Sequence, residues 1–189
     1  MFNEQHLKLY DDLKARLERA MDHFESELNA VRAGRANPKL LDKVVVDYYG
    51  SMTPLNQMAN ISATDARTLT ISLWDISALK DVLKAIQASG LGLNPSDDGK
   101  VIRLAVPAPT EERRVELVKM VKKIAEDTRV QMRNGRRDVL DQFKNFKKIG
   151  EITEGDLANA EKEVQKILDN AINQVNKALE NKEKDIMEV

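Results

Sequence analysis

The chain has 189 residues, enough for one large domain or two small ones but not for a large multidomain enzyme. Charged residues make up 32% and aromatic residues 4% of the chain, and the mean hydropathy is −0.48, as is typical of a helix-rich soluble protein. The absence of cysteine excludes disulfides, thiolate nucleophiles and sulfur-ligated metals, and no apolar run is long enough to span a membrane. Acidic residues near the start argue against a signal or transit peptide, so we expect a cytoplasmic protein.

The net charge of −1 hides a strong partition along the chain. Counted on the sequence, residues 1–30 carry −3, residues 31–106 carry +2, residues 111–149 carry +5 and residues 151–189 carry −5. A local basic segment is more informative about binding partners than the total charge. The segment 111–149 is therefore the first candidate for contact with an anionic partner.

The first predicted element is a helix over residues 2–31. Its apolar side chains recur at steps of three and four: Tyr10, Leu13, Leu17, Met21, Phe24, Leu28 and Val31. Glycine and proline end this run, so we predict a hinge linker that contains Arg32, Gly34, Arg35 and Pro38.

The middle of the chain, 31–106, has the pattern of a small α/β domain. β-branched and alternating residues predict strands at 44–49, 60–62, 68–74 and 100–106. A short helix through Ser89 can be capped by Asp75 or Ser77, while Thr53-Pro54 predicts a turn and Asn94-Pro95 a loop. Pro107 belongs to a second hinge linker, through which the chain leaves this domain.

Two further long helices are predicted over residues 110–147 and 154–187. Gly150 is suited to end the first of them, and Thr153 with Asp156 predicts a capping box at the start of the second. Helices of about 30 residues extend for about 45 Å and cannot bury an apolar row alone. We therefore predict an α+β fold, in which an elongated three-helix bundle of residues 1–30 and 107–189 is interrupted by the domain 31–106.

A search for catalytic and metal-binding patterns finds nothing specific. His6 and His23 are isolated on one helix, which favours packing or surface roles over metal ligation or catalysis. The sequence lacks the glycine-rich phosphate loops and the nucleophile-elbow motif. We therefore expect no catalytic residue, metal, cofactor or small-molecule substrate.

A helical projection of residues 110–147 places cations beside the apolar row. We call this set the basic stripe: Arg114, Lys122, Arg129, Arg133, Arg136 and Lys147. From Arg114 to Arg136 it extends for about 33 Å, and arginine forks suit several phosphates of a folded RNA. The projection places the acids of this helix outside the stripe, which predicts a stripe without partners on its own helix. The alternative is a solvated face, or pairing with the acidic segment 151–189.

Six strings, in this order and spacing, resemble the bacterial ribosome recycling factor family over essentially the whole chain. They are Val31-Arg32-Ala33-Gly34-Arg35-Ala36-Asn37-Pro38-x-Leu40-Leu41-Asp42, Tyr48-Tyr49-Gly50, Thr53-Pro54-Leu55, Leu91-Gly92-Leu93-Asn94-Pro95, Thr110-Glu111-Glu112-Arg113-Arg114 and Arg133-Asn134-x-Arg136-Arg137-Asp138, where x is a position that is not part of the match. The resemblance implies an L-shaped molecule with a three-helix bundle and a small inserted β/α/β domain. It also implies a factor that makes and breaks no covalent bond, and we expect it to be monomeric.

The function implied by the resemblance is recycling of the ribosome after termination. The bundle would lie on the RNA of the large ribosomal subunit, and elongation factor G with GTP would then separate the subunits. Arg114, Arg133 and Arg136 match the family's RNA-contacting arginines, and Arg129 and Arg137 share or flank the same surface.

The sequence departs from the family pattern at two positions. Gly135 replaces a branched aliphatic residue, which questions the local stability of the bundle, and Leu83 replaces a common glutamate on the small domain.

Two other hypotheses remain open. A coiled-coil-like adaptor could bind a protein partner through its acidic helices, and it would show no affinity for ribosomes. A hydrolase with an unrecognised carboxylate pair is the weaker hypothesis, because long charged helices supply closely spaced acids by composition alone.

Overall fold

The computed structural model describes residues 2–31 and 35–188, which form two compact units. One unit combines residues 2–31 with residues 112–188, and the other comprises residues 35–111. The second unit is therefore inserted into the sequence of the first. None of the helices in the described ranges is sufficiently long and apolar to cross a membrane.

The first unit is built from three long helices, α1 (Glu4–Ala30), α3 (Glu111–Lys148) and α4 (Glu154–Met187), and α2 (Leu79–Ala88) belongs to the second unit. The predicted capping box is confirmed, because the Thr153 hydroxyl accepts from the backbone N–H of Asp156 at 3.1 Å while the Asp156 carboxylate accepts from that of Thr153. Gly150, with φ of 80°, ends α3 in a Schellman motif in which the Glu151 N–H donates to the carbonyl of Phe146.

The core of the helical unit follows the predicted periodicity with local differences. The helical periodicity of α3 predicts nine positions on its inner face, of which eight are buried and Phe146 is half-buried; the buried ones are Leu117, Val121, Ala125, Thr128, Met132, Gly135, Val139 and Phe143. On α4 the same periodicity predicts Ile167 on the inner face, but Ile167 is half-buried and its neighbour Leu168 is buried instead. His6 is 1% exposed, and its ring packs edge-on against that of Phe146 with 4.5 Å between the ring centroids, so it is a packing histidine.

The second unit contains six strands. They are β1 (Val45–Tyr48), β2 (Ser51–Pro54), β3 (Ala59–Asp65), β4 (Thr68–Leu73), β5 (Asn94–Asp97) and β6 (Val101–Ala105). β1 and β2 form an antiparallel hairpin, and the others form an antiparallel sheet in the order β3-β4-β6-β5. The alternating buried residues of β4 pack with Val82 and Ile86 of α2, so one sheet face and one helix face share a core.

Two predictions for this unit were wrong. Thr53-Pro54 lies within β2 rather than in a turn, and Asn94-Pro95 begins β5 rather than a loop. Both strands lie at edges, since β2 pairs with β1 alone and β5 with β6 alone. A proline without an N–H donor is tolerated at a strand edge, which explains how both strands include one.

The linker residues are only partly described. Arg32 and Gly34 lie outside the described residues, whereas Arg35 is exposed and Pro38 begins a 3₁₀ helix, Pro38–Leu41, capped by the Asn37 side chain. Pro107 is exposed between β6 and α3. The hinge itself stays a prediction.

Candidate nucleic-acid interface

The cations of the basic stripe lie along the seam between α3 and α4, which run antiparallel. As the residue numbers rise along α3, those of their partners fall along α4. The pairs are Arg114 with Met187, Lys122 with Glu183, Arg129 with Asn176, Arg136 with Gln165 and Lys147 with Glu154. The stripe is therefore the edge of a helix–helix contact as well as a charged surface.

The three arginines in these pairs donate hydrogen bonds to uncharged acceptors on α4. The Arg136 guanidinium donates from Nη1 to the amide oxygen of Gln165 at 2.7 Å, and Arg129 donates from Nε to the amide oxygen of Asn176 at 3.0 Å. Arg114 donates from Nη1 to the backbone carbonyl of Met187 at 3.2 Å. Because an amide or carbonyl carries no formal charge, these contacts hold the guanidinium groups without neutralising them.

The two lysines meet carboxylates instead. Lys122 lies 3.7 Å from Glu183, and Lys147 pairs with Glu154. The acidic α4 segment therefore neutralises the lysines of the basic stripe, whereas it offers the arginines of the stripe amide and carbonyl oxygens.

Partners within α3 itself contradict one prediction. Glu126 accepts from Arg129 at 2.9 Å and from Arg133 at 2.5 Å, so the stripe is not free of acids of its own helix. Hydrogen bonds from Arg129 and then Arg133 lower the pKa of Glu126 below its ordinary value. Glu126 and Arg133 are seven residues apart, so they lie on nearly the same side of α3 but about two turns, roughly 10 Å, apart along its axis. The two extended side chains bridge this distance, which the projection does not take into account.

Arg129 and Arg133 have a carboxylate partner in Glu126, and Arg114 and Arg136 differ from them in this. Among the carboxylates of residues 2–31 and 35–188, none forms an ion pair with Arg114 or Arg136. Their Nε atoms are buried and have no hydrogen-bond partner in these same ranges. Arg137 is exposed and donates to the Asn134 side chain at 3.3 Å.

Arg136 borders two open grooves. One, beside α4, also has the cations Lys162 and Lys166 along it, together with the acids Glu161 and Asp169. The other lies on α3 and is lined by further cations: Arg133, Arg137 and Lys144. The two α4 lysines were not predicted as part of the site, because the net charge of −5 over residues 151–189 conceals them.

Gly135, the residue before Arg136, is a contact point with α1. A Cβ atom at this position would lie 3.4 Å from Cδ and Nε of Arg16 and 3.5 Å from a methyl group of Leu13. Arg16 continues past the glycine and pairs with Asp138 at 2.8 Å. The small residue therefore allows α1 and its arginine to lie close to α3.

The arrangement can bind but has no evident chemistry of its own. In the part of the chain that the structure describes, no group of three His, Asp or Glu side chains is placed to hold a metal ion. The site combines guanidinium and ammonium groups along one seam, and such an array suits the phosphates of a nucleic acid.

Comparison with known proteins decides the family. A family model described as "Ribosome recycling factor" matches residues 24–187. The chain belongs to the ribosome recycling factor family. Members of this family are translation factors and not enzymes.

Curated relatives and solved structures agree with this assignment. The ribosome-recycling factor of Caldicellulosiruptor bescii is 54% identical over 92% of this chain and 95% of its own length, and that of Staphylococcus haemolyticus is 52% identical over 96% and 98%. A solution structure of the ribosome recycling factor matches with a TM-score of 0.65 and 34% identity, covering 100% of both chains.

A second structural neighbour was studied in a larger assembly. This neighbour comes from models for the T. thermophilus ribosome recycling factor and E. coli elongation factor G bound to the E. coli post-termination complex. The TM-score is 0.58 at 42% identity, over 96% of this chain and 98% of the neighbour. The α+β fold with three long helices and a small sheet unit, which was predicted from the sequence, is confirmed.

Proposed function

We propose that this protein binds the ribosome after termination and, with elongation factor G and GTP, separates the two subunits. Membership of the ribosome recycling factor family supports the proposal, as does the neighbour that is bound with elongation factor G to a post-termination complex. The protein acts by binding alone, as a monomer in the cytoplasm, and transfers no chemical group.

The surface that we assign to the RNA of the large subunit is the basic stripe together with Arg137. Its arginines are Arg114, Arg129, Arg133, Arg136 and Arg137. The observation that carries this assignment is that Arg136 is held by a neutral amide and not by a carboxylate. Its charge is therefore available to a phosphate without the loss of an ion pair.

The two units have different roles in this proposal. The three-helix unit, residues 1–30 and 107–189, binds RNA, and the inserted unit, residues 31–106, is joined to it by two short hinge linkers. Binding by the stripe depends on salt, because each phosphate that a cation neutralises releases counterions from the RNA.

A sedimentation assay tests the function. Post-termination ribosomes are mixed with the protein, elongation factor G and GTP, and each component is omitted in turn. We expect free subunits only when all three are present. Subunit separation without this protein, or none with the complete mixture, would contradict the proposal.

Replacing Arg136 tests the interface in the same assay. Arg136 is half-buried and donates to Gln165 across the contact between α3 and α4, so we expect Arg136→Ala to lower the free energy of unfolding by about 1 kcal/mol while impairing subunit separation much more than folding. Arg19→Ala removes the same charge from an exposed position on α1 and serves as the matched control. Equal losses of folding and separation in Arg136→Ala, or equal impairment by both variants, would argue against an RNA contact at Arg136.

A further inference from the structure

Arg136 is one end of a chain of hydrogen bonds that crosses from α3 to α4. Its Nη1 donates to Oε1 of Gln165 at 2.7 Å, and Nε2 of Gln165 donates to Oδ1 of Asp169 at 2.7 Å. Gln165 and Asp169 are four residues apart on α4, a spacing that places side chains on the same helix face. We propose that Gln165, fixed by Asp169, is a positioning residue that holds the Arg136 guanidinium ready for an RNA phosphate.

The chemistry of the two neighbours permits only one orientation of the Gln165 amide. Arginine can only donate, and an ionised carboxylate can only accept. The amide oxygen must therefore face Arg136, and the amide nitrogen must face Asp169. A flipped amide would place N–H against N–H on one side and oxygen against oxygen on the other.

A neutral positioning residue serves binding better than a charged one would. The Gln165 oxygen restricts the rotamers of a long side chain, so less conformational entropy is lost when a phosphate binds. Gln165 carries no charge, and the carboxylate of Asp169 bonds to its far side. Arg136 therefore keeps a full positive charge in a groove along which Lys162 and Lys166 also lie.

The proposal rests on the proposed function, because it assumes that Arg136 binds RNA. It deepens that function by assigning to two residues of α4, Gln165 and Asp169, a role that is exerted through Arg136. Its test therefore needs variants that separate the positioning role from the arginine contact and from bundle stability.

The experiment measures affinity of the full-length protein for purified large ribosomal subunits in a double-mutant cycle. Gln165→Leu keeps the approximate size of the side chain but removes both hydrogen bonds. We expect it to weaken binding about fivefold in the otherwise unchanged protein, and by less than about 1.5-fold when Arg136 is already alanine. Such a non-additive result is characteristic of a residue that acts through Arg136.

Three further variants complete the design. Asp169→Leu removes the acceptor for the Gln165 amide, and we expect a loss of about two- to threefold. Asp169→Asn keeps an oxygen that can accept from Gln165, so we expect binding close to that of the unchanged protein. Gln174→Leu makes the same change on α4 but in the groove beside α1, and it should have no effect. Thermal melting of each variant checks that the bundle is intact.

The outcomes distinguish the two levels of the proposal. If Arg136→Ala binds as tightly as the unchanged protein, the assignment of Arg136 to the RNA interface is wrong and the positioning role is lost with it. If Arg136→Ala weakens binding but Gln165→Leu does not, only the positioning role is overturned. Equal losses from Gln165→Leu in both backgrounds, or from Gln174→Leu, would also overturn it.

Discussion

Arg133 and Arg136 are three residues apart on α3, yet their guanidinium groups are held in opposite ways. Arg133 donates to the carboxylate of Glu126, which Arg129 shares. Arg136 donates to the amide of Gln165 on the neighbouring helix. One region of the stripe is thus partly neutralised within its own helix, whereas the other keeps its charge.

This difference shows why a count of basic residues is a poor guide to an RNA-binding surface. A carboxylate competes with phosphate for the same guanidinium donors, whereas an amide does not compete for the charge. The Glu126 pairs are exposed and therefore weak, and in the proposed RNA interface a phosphate would have to displace them. We therefore expect Arg136 to contribute more to affinity than Arg133, although both carry the same formal charge.

The largest expected effect comes from making the Arg136 region resemble the Arg133 region. The double variant Gln165→Glu/Asp169→Asn places a carboxylate beside the Arg136 guanidinium, and the amide introduced at position 169 can donate to the second oxygen of that carboxylate while the net charge of the protein is unchanged. We expect the affinity for large subunits to fall about tenfold, because the arginine must then exchange one anion for another. Titration at several salt concentrations measures the loss.

The salt dependence provides the check on this variant. A neutralised Arg136 should reduce the steepness of log affinity against log salt by about one phosphate contact. An affinity equal to that of the unchanged protein would show that the neutral partner has no importance for binding.

Removing the carboxylate from the Arg133 region should change the affinity for large subunits by less, and in the opposite direction. Glu126→Gln removes the carboxylate shared by Arg129 and Arg133, and we expect affinity to rise about two- to fivefold. Asp127→Gln removes a carboxylate next to Glu126 that forms no ion pair with the described cations, and it is the matched control for total charge. If both variants bind more tightly to the same extent, the gain reflects net charge alone and the local competition is not supported.

The smallest expected effect comes from substituting Gly135, which lies between Arg133 and Arg136 in the sequence. Alanine there would meet Arg16 and Leu13 at ordinary contact distances, and a helix-interior glycine is less stable than alanine by about 1 kcal/mol. We expect Gly135→Ala to raise the free energy of unfolding by up to about 1 kcal/mol, measured by urea denaturation, with unchanged RNA affinity.

A bulkier side chain at Gly135 tests the same contact. Gly135→Ile restores the branched aliphatic type expected for the family, but its extra atoms must displace the Arg16 side chain that now covers the glycine. We expect it to be less stable than Gly135→Ala. A weakened RNA affinity in the alanine variant would instead link the α1 contact to the interface.

Local signals in the sequence were sufficient for the helices and for the family. Periodicity placed α3 and α4 within a residue or two of their observed bounds, and the capping box at Thr153 depends on neighbours only three residues away. Proline misled the prediction at β2 and β5, because whether a strand lies at an edge depends on the whole sheet.

For the candidate site, the sequence predicted which face of α3 carries the arginines but not the side chains with which they pair. A helical projection placed the arginines on one side of α3 correctly, but it treats side chains as directions and neglects their length. It therefore missed Glu126. The pairing of Arg136 with Gln165 depends on the register between α3 and α4, which no pattern within either helix specifies.

The Schellman turn at Gly150 has a consequence for the order in which the chain folds. Arg136 and Gln165 are separated by 29 positions across this turn, whereas Arg114 and Met187 are separated by 73. The entropic penalty of closing a loop increases with its length, so a helical hairpin that grows from Gly150 forms the Arg136–Gln165 pair before the Arg114–Met187 pair. Contacts between α1 and the later helices must span the inserted unit, as His6 does to reach Glu151 over 145 positions. During synthesis from the N-terminus, α1 is therefore complete before α3 and α4 are available to pack against it. In contrast, Gln165 can pair with Arg136 as soon as α3 and α4 have both formed.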